Sequence, residues 1–442
     1  MPGRRASPRP MVFRRLLPLV AAFALTASAV AAQATFTRSH LIRAIDEQFD
    51  ASAFSNATWG AYAVDVDTDE VLYARVPYAS LIPASNMKLV TTAAILDALG
   101  PDYRFKTRLY LDGEVEGGLL DGPLVIRGSG DPRFGGRYRG ADLARAFHAW
   151  VDDLDALGVR NITGPIVVAD DAIEEPDAYF VSRFARVLRD RGIGMGSSRA
   201  EVHQGLFPPE YRRLTLASVH ESPPLRVFVD HTNTESDNLY AERLLRALAV
   251  HEFPNRGPIP PHLRSQAADS FLDAIGINVR DFIVADGSGL SRENRLTPHG
   301  ITVLLRAMWH HEDDATQSAF VRSLPVGGRT GTLERRYASG DARGNVRAKT
   351  GYIRRVRTLS GYVTTATGRT VAFSLMCNGY TVRTRRVNRA QDAVVELLAD
   401  YEGRAEARGQ ASRRTRPQRR AQTRNTSDRR RTRPQRRSGR VQ

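Results

Sequence analysis

Pro83-Ala84-Ser85-Asn86-Met87-Lys88 runs on as Leu89-Val90-Thr91-Thr92-Ala93-Ala94-Ile95-Leu96-Asp97-Ala98-Leu99 to Gly100. Pro83 suits a position just before a helix, Ser85 stands at the start of the apolar run, and Gly100 with Pro101 ends it. Met87, Leu89, Val90, Ala93, Ala94 and Leu96 supply enough apolar positions at helical spacing for a helix buried on most sides. Ser85 and Lys88, three residues apart, share a face one turn apart near its N-terminus. The lysine amine is then within reach of the serine hydroxyl proton, and the positive end of the helix favours the anion that develops.

A serine three residues before a lysine is common, and by itself reads as a helix cap beside a solvated charge. Lysine usage changes the odds. The chain has 64 basic residues, of which only Lys88, Lys106 and Lys349 are lysines. Arginine serves almost everywhere a positive charge is needed, but it stays protonated and cannot act as a base, whereas a buried lysine can lose its proton.

The formal charge of +16 belongs to the two ends. Residues 401–442 carry 15 arginines against Glu402, Glu406 and Asp428, and residues 1–34 carry five arginines and no acid. The body between them is close to neutral. The first 34 residues read as an export signal: Arg4, Arg5, Arg14 and Arg15, an apolar run from Leu16 to Val30, and a small-x-small site at Ala32-Gln33-Ala34 or Ala29-Val30-Ala31. The run is short for a membrane span. This places the mature protein outside the cytoplasm, in the periplasm or cell envelope. Cys377 is the only cysteine, so no intramolecular disulfide forms; its apolar strand setting marks it as a packing residue. From Gly403 the chain is arginine, glutamine, threonine and proline, with Arg-Arg-Thr-Arg-Pro-Gln-Arg-Arg at 413–420 and again at 430–437. Such a composition buries no core and is expected to be disordered, with a polyanion as a conceivable contact.

Between the ends, an amphipathic helix is expected over 37–52, a hairpin from Trp59–Val66 and Val71–Val76, and then the Ser85 helix. Lys106–Leu111, Leu124–Ile126 and Ile166–Val168 read as strands, Ala141–Leu157 and Tyr179–Arg191 as helices, and Gly192–Leu214 as loop. The segment 105–215 reads as an insertion between two parts, 35–104 and 216–402, of one domain. Gly128-Ser129-Gly130-Asp131-Pro132 lacks phosphate-loop spacing and reads as a structural turn. Beyond it come helices over 236–251, Ser270–Ile275 and Pro298–Trp309, strands at Val346–Lys349, Leu359–Thr364 and Thr370–Cys377, and a closing helix Val387–Tyr401.

Two further motifs complete a set. Ser236-Asp237-Asn238 can aim a hydroxyl and an amide into one cleft from a turn, although alone it reads as a helix cap. Lys349-Thr350-Gly351, ending a short strand, offers a cation and a hydroxyl to a carboxylate, with a glycine that admits close backbone approach. Ser-x-x-Lys, Ser-Asp-Asn and Lys-Thr-Gly in this order are specific to the penicillin-recognising serine enzymes. The sequence resembles their low-molecular-mass class C branch, the D-alanyl-D-alanine carboxypeptidase/endopeptidase family. Ser236-Asp-Asn-Leu-Tyr-Ala-Glu, Asp286-Gly-Ser-Gly-Leu-Ser, Gly331-Thr-Leu and Leu359-Ser-Gly-Tyr-Val add to the likeness, which runs from about Phe36 to Tyr401.

The resemblance implies an α+β, β-lactamase/transpeptidase-like fold: an antiparallel sheet flanked by helices, with an inserted subdomain. It implies Ser85 as the acylated nucleophile, Lys88 as its base and Ser236 as a proton relay. Asn238 would hold the peptide amide, Lys349, Thr350 and Gly351 the carboxylate end, and the backbone N–H groups of Ser85 and Tyr352 an oxyanion hole. The implied substrates are peptidoglycan stem peptides and β-lactams, with no cofactor and no metal. The 151-residue spacing from Ser85 to Ser236 is short for this branch, which marks the insertion as reduced. Two rival readings are a β-lactamase, for which no Glu-x-x-Leu-Asn element is visible between Ser236 and Lys349, and an inactive peptidoglycan-binding homologue. Ser288, outside a Gly-x-Ser-x-Gly elbow, reads as a turn residue near the cleft, and His310, His311, Glu312, Asp313 and Asp314 as a solvated helix end.

Overall fold

The computed structural model describes residues 37–133, 141–169, 178–196, 200–203, 214–254, 259–278 and 282–403. The export-signal reading and the arginine-rich tail from 404 onward fall outside the described residues. Within them no helix is long and apolar enough to cross a membrane.

The chain opens with α1 (Arg38–Phe49), the hairpin β1 (Thr58–Asp65) and β2 (Val71–Arg75), and α2 (Met87–Leu99). The inserted segment supplies β3 (Lys106–Leu111), β4 (Val115–Glu116), β5 (Leu119–Leu120), β6 (Leu124–Arg127), α3 (Ala141–Ala156), β7 (Asn161–Ile162), β8 (Ile166–Ala169), α4 (Ala178–Asp190), β9 (Gly194–Met195), β10 (Ala200–His203) and β11 (Thr215–Glu221). Then follow α5 (Leu225–Thr234), α6 (Asn238–Glu252), α7 (Pro261–Ala274), α8 (Pro298–Trp309), α9 (Asp314–Ser323), β12 (Arg347–Ile353), β13 (Val356–Thr364), β14 (Thr370–Asn378) and α10 (Thr384–Ala399).

The main sheet is antiparallel throughout, in the order β12-β13-β14-β1-β2. Alternation along its strands splits the core in two. Trp59, Ala61, Ala63, Leu359, Val371, Phe373, Leu375 and Cys377 face α1 and α10. Val64, Tyr362, Ala372 and Met376 face the opposite layer, built from α2 and α5 to α9. With both faces covered, the central strands read as nearly continuous apolar runs. Helix α2 is the hub of the second layer: every residue from Met87 to Leu96 is buried, as expected for a helix that is apolar all round.

The inserted segment has its own sheet, β10-β8-β6-β3-β11, with β11 antiparallel to β3, and a core formed with α3 and α4 around Phe147, Trp150 and Phe184. Because Thr215–Glu221 pairs with Lys106–Leu111, this sheet extends past the expected limit at 215. Part of the expected loop 192–214 forms the short strands β9 and β10.

Three local readings are corrected. Helix α7 starts at Pro261, not Ser270, because Pro260-Pro261 acts as a start signal rather than a break. Strand β12 continues past Lys349 to Ile353, carried by pairing with β13 that sequence alone does not reveal. Helix α9 was not expected; Asp313 caps it by accepting from the Ala315 and Thr316 amides. The neighbouring helix end is solvent-facing, as expected, and its histidines also make contacts, His310 with the Val66 carbonyl (2.7 Å) and His311 with Asp97 (3.1 Å).

Candidate active site

Ser85 sits in a 3₁₀ turn, Ala84–Asn86, that leads directly into α2. The turn is tightly built. Ala84 takes a positive φ of 46°, a costly conformation for a residue with a side chain. Thr358 Oγ1 on β13 lies 2.7 Å from both the Pro83 carbonyl and Asn86 Oδ1, either of which can accept its one proton. On one side Gly351 meets the turn: a Cβ there would lie 2.8 Å from Pro83 O and 3.0 Å from Asn86 Oδ1. On the other, a Cβ on Gly289 would fall 1.8 Å from Ala84 O. Two glycines therefore let a strand and a loop close on the serine turn.

Lys88 is wholly buried, one turn along. Its Nζ donates to Ser85 Oγ (3.2 Å), Asn238 Oδ1 (2.8 Å) and the Ser288 carbonyl (2.6 Å). Burial pulls its pKa down to about 8, against the opposing pull of the Asp286, Glu242 and Asp237 carboxylates. Lys349, on β12, is equally buried and donates to Ser236 Oγ (2.9 Å) and to the Thr350 carbonyl (3.1 Å). Its pKa falls well below the usual lysine value, first through burial and then through the neighbouring cations Lys88 and Arg357. Lys106, by contrast, is a half-exposed surface partner of Glu221.

Ser236 and Asn238 reach this centre by different routes. Asp237 turns away to cap α6, accepting from the Tyr240 amide at 3.0 Å. Ser236, before it, adopts a φ of 60°, which turns the hydroxyl toward β12. Asn238 opens α6 and faces Lys88; since Oδ1 accepts from the Lys88 ammonium, its amide Nδ2 is the group left to donate.

Strand β12 is an edge of the main sheet. The Ala348 amide donates to the Pro325 carbonyl, away from β13. Alternation then puts the Thr350 and Tyr352 amides on the same open side. Tyr352 itself is 55% exposed, with the Arg357 guanidinium 5.8 Å from its ring centroid. Thr350 Oγ1 donates to Thr332 Oγ1 (2.9 Å), in the Gly331-Thr332-Leu333 turn.

Ser85, Lys88, Ser236, Asn238, Lys349, Thr350, Gly351 and Tyr352 thus gather in one crevice where α2, the start of α6 and the open edge of β12 meet. Sequence reasoning gave no role to Glu242, Thr332, Thr358 or the Ser288 carbonyl. The only signal was that Glu242, Ser288 and Thr332 fall in the short stretches that accompany the three motifs, and that Thr358 immediately precedes one of them.

The model of the D-Ala-D-Ala carboxypeptidase 3 (S13) family matches residues 41–174 and 169–401. The D-alanyl-D-alanine carboxypeptidase of Actinomadura sp. (strain R39) is 26% identical, over 91% of this chain and 92% of that protein. Among solved structures, penicillin binding protein 4 (dacB) from Haemophilus influenzae superposes with a TM-score of 0.69 at 20% identity, covering 81% of this chain and 99% of that one. The same protein complexed with a β-lactam gives 0.66 at 22% identity, over 79% and 97%.

Proposed function

Because the chain belongs to the D-Ala-D-Ala carboxypeptidase 3 (S13) family, we propose that it is a serine-type carboxypeptidase, using Ser85 and Lys88 to remove the terminal D-alanine of peptidoglycan stem peptides. The observation that carries this reading is the three-way hydrogen bonding of one buried amine, Lys88, to the Ser85 hydroxyl, the Asn238 amide and the Ser288 carbonyl. An amine with its pKa near 8 is partly neutral at physiological pH and suited to take a proton.

In this reading Asn238 Nδ2 and the Thr350 hydroxyl orient the peptide, the former on a carbonyl, the latter on the terminal carboxylate beside Lys349. Ser85 Oγ attacks the carbonyl of the penultimate residue as Lys88 takes its proton. The tetrahedral oxygen is met by the Ser85 and Tyr352 amides, where one lost donor costs about 10²–10³ in rate. Breaking the amide bond needs a proton on the leaving nitrogen, which Ser236, hydrogen-bonded to Lys349, is suited to pass. Water then releases the acyl group from Ser85. A β-lactam ring presents the same amide and the same carboxylate, and would acylate the same serine. The export signal and its envelope location belong to the same proposal, as does contact of the arginine-rich tail with a polyanion; both rest on composition alone.

The test is labelling with a fluorescent penicillin together with D-alanine release from a pentapeptide. Both are expected in the wild-type protein and neither in Ser85→Ala. Labelling that persists in the variant would remove Ser85 from the nucleophile role.

A further inference from the structure

Lys88 is held by a carbonyl as well as by the two motif side chains, and that carbonyl is itself held. The loop Asp286–Ser291 lies between α2 and α6. Glu242, on α6 one turn after Asn238, accepts from two successive amides, Ser288 N at 2.8 Å and Gly287 N at 3.2 Å. Asp286 accepts from the next amide, Gly289 N, at 2.6 Å, and from Ser291 N at 2.5 Å. The Gly287 carbonyl takes the Thr91 hydroxyl at 2.8 Å. The loop cannot rotate without breaking several of these bonds, and Gly287 fits because a Cβ would lie 2.7 Å from Ala241 O. The outcome is a Ser288 carbonyl aimed at Lys88 Nζ, from which it accepts at 2.6 Å.

We propose that Glu242 is a positioning residue for the reaction: its carboxylate clamps the Gly287 and Ser288 amides so that the Ser288 carbonyl is presented to Lys88, and its negative charge, with that of Asp286, bears on that amine. The proposal rests on Ser85 and Lys88 being the acylating pair. The charged groups around Lys88 are Asp237 and Glu242 from α6 and its cap, Asp286 from the loop and Lys349 from β12. The three carboxylates favour the protonated amine, against the burial that disfavours it. Only neutral Lys88 takes the Ser85 proton, so acylation rises with pH as Lys88 loses its own. Withdrawing one carboxylate moves that rise to lower pH.

The experiment is the rate of acylation by a fluorescent penicillin as a function of pH, on the full chain, with Ser85→Ala as the blank. Loss of labelling in that blank establishes the acylating serine independently of Glu242. In Glu242→Gln the rise is expected about one pH unit lower than in the wild type, with a lower plateau because the NH2 group that replaces one carboxylate oxygen cannot accept from the backbone amide that oxygen held. A rise at the wild-type pH with only a reduced plateau makes Glu242 a structural clamp and overturns the proposal, as does a rise displaced upward. Should Glu242→Gln fail to fold, Glu242→Asp keeps the charge: its rise stays at the wild-type pH, and displacement there overturns the claim as well.

Discussion

Lys88 and Lys349 are the clearest case of a residue choice made by chemistry. In a chain whose one other lysine is Lys106 and whose remaining basic residues are arginines, the two wholly buried basic side chains of the crevice are lysines. Burial penalises the ammonium and lowers both pKa values, which arginine would resist. Lys88→Arg is therefore expected to keep a cation beside Ser85 but lose the base, with acylation by penicillin falling about 10²–10⁴-fold. In the wild type the sign of the pH dependence follows from the same group. A base must be unprotonated, so the acylation rate climbs as pH rises through about 8. A rate that falls over that range would mean that the protonated amine is the working form.

At the scale of elements, the crevice depends on how closely β12 and the serine turn approach. Gly351 is the contact: a Cβ there would lie 2.1 Å from Thr358 Oγ1 and 2.8 Å from the Pro83 carbonyl. The second of these atoms is backbone, so the clash is relieved only if strand and turn move apart. Gly351→Ala is expected to cut the acylation rate about 10²-fold, since a displacement near 1 Å at the reacting groups costs that much. Circular dichroism would verify that the variant is folded, and an unchanged rate would show that the approach is not limiting. Gly289 does the same from the other side, with the added demand of a φ of 86°.

At the scale of the whole molecule, the inserted segment is tied to the helices that carry the crevice. Asp131 and Arg133 form a buried ion pair at 2.7 Å just after β6. Arg133 also lies over the Phe228 ring of α5 at 5.8 Å, and the Pro132 carbonyl accepts from Arg243 of α6 at 2.6 Å. The turn read as structural in the sequence thus joins the inserted sheet to the helical layer of α5 and α6. Asp131→Ala deprives Arg133 of this buried carboxylate and should cost about 3 kcal/mol. The midpoint of urea unfolding measures the loss, and an unshifted midpoint would place the joint's stability elsewhere.

The sequence by itself determined the local units and the chemistry available: the apolar helix that starts at Ser85, the hairpin, the antiparallel strands before α10, and three motifs whose residue types suit acyl transfer. Those follow from periodicity and side-chain inventory, which are local properties. The tertiary structure alone decided that β12 runs on past Lys349 to bring the Tyr352 amide to an open edge, that Ser236 turns at positive φ toward Lys349 while Asp237 turns away, and that Glu242 and the Ser288 carbonyl complete the surroundings of Lys88. These depend on which distant backbones come within hydrogen-bond reach after the helical layers close on the sheet, and no spacing along one chain encodes that distance.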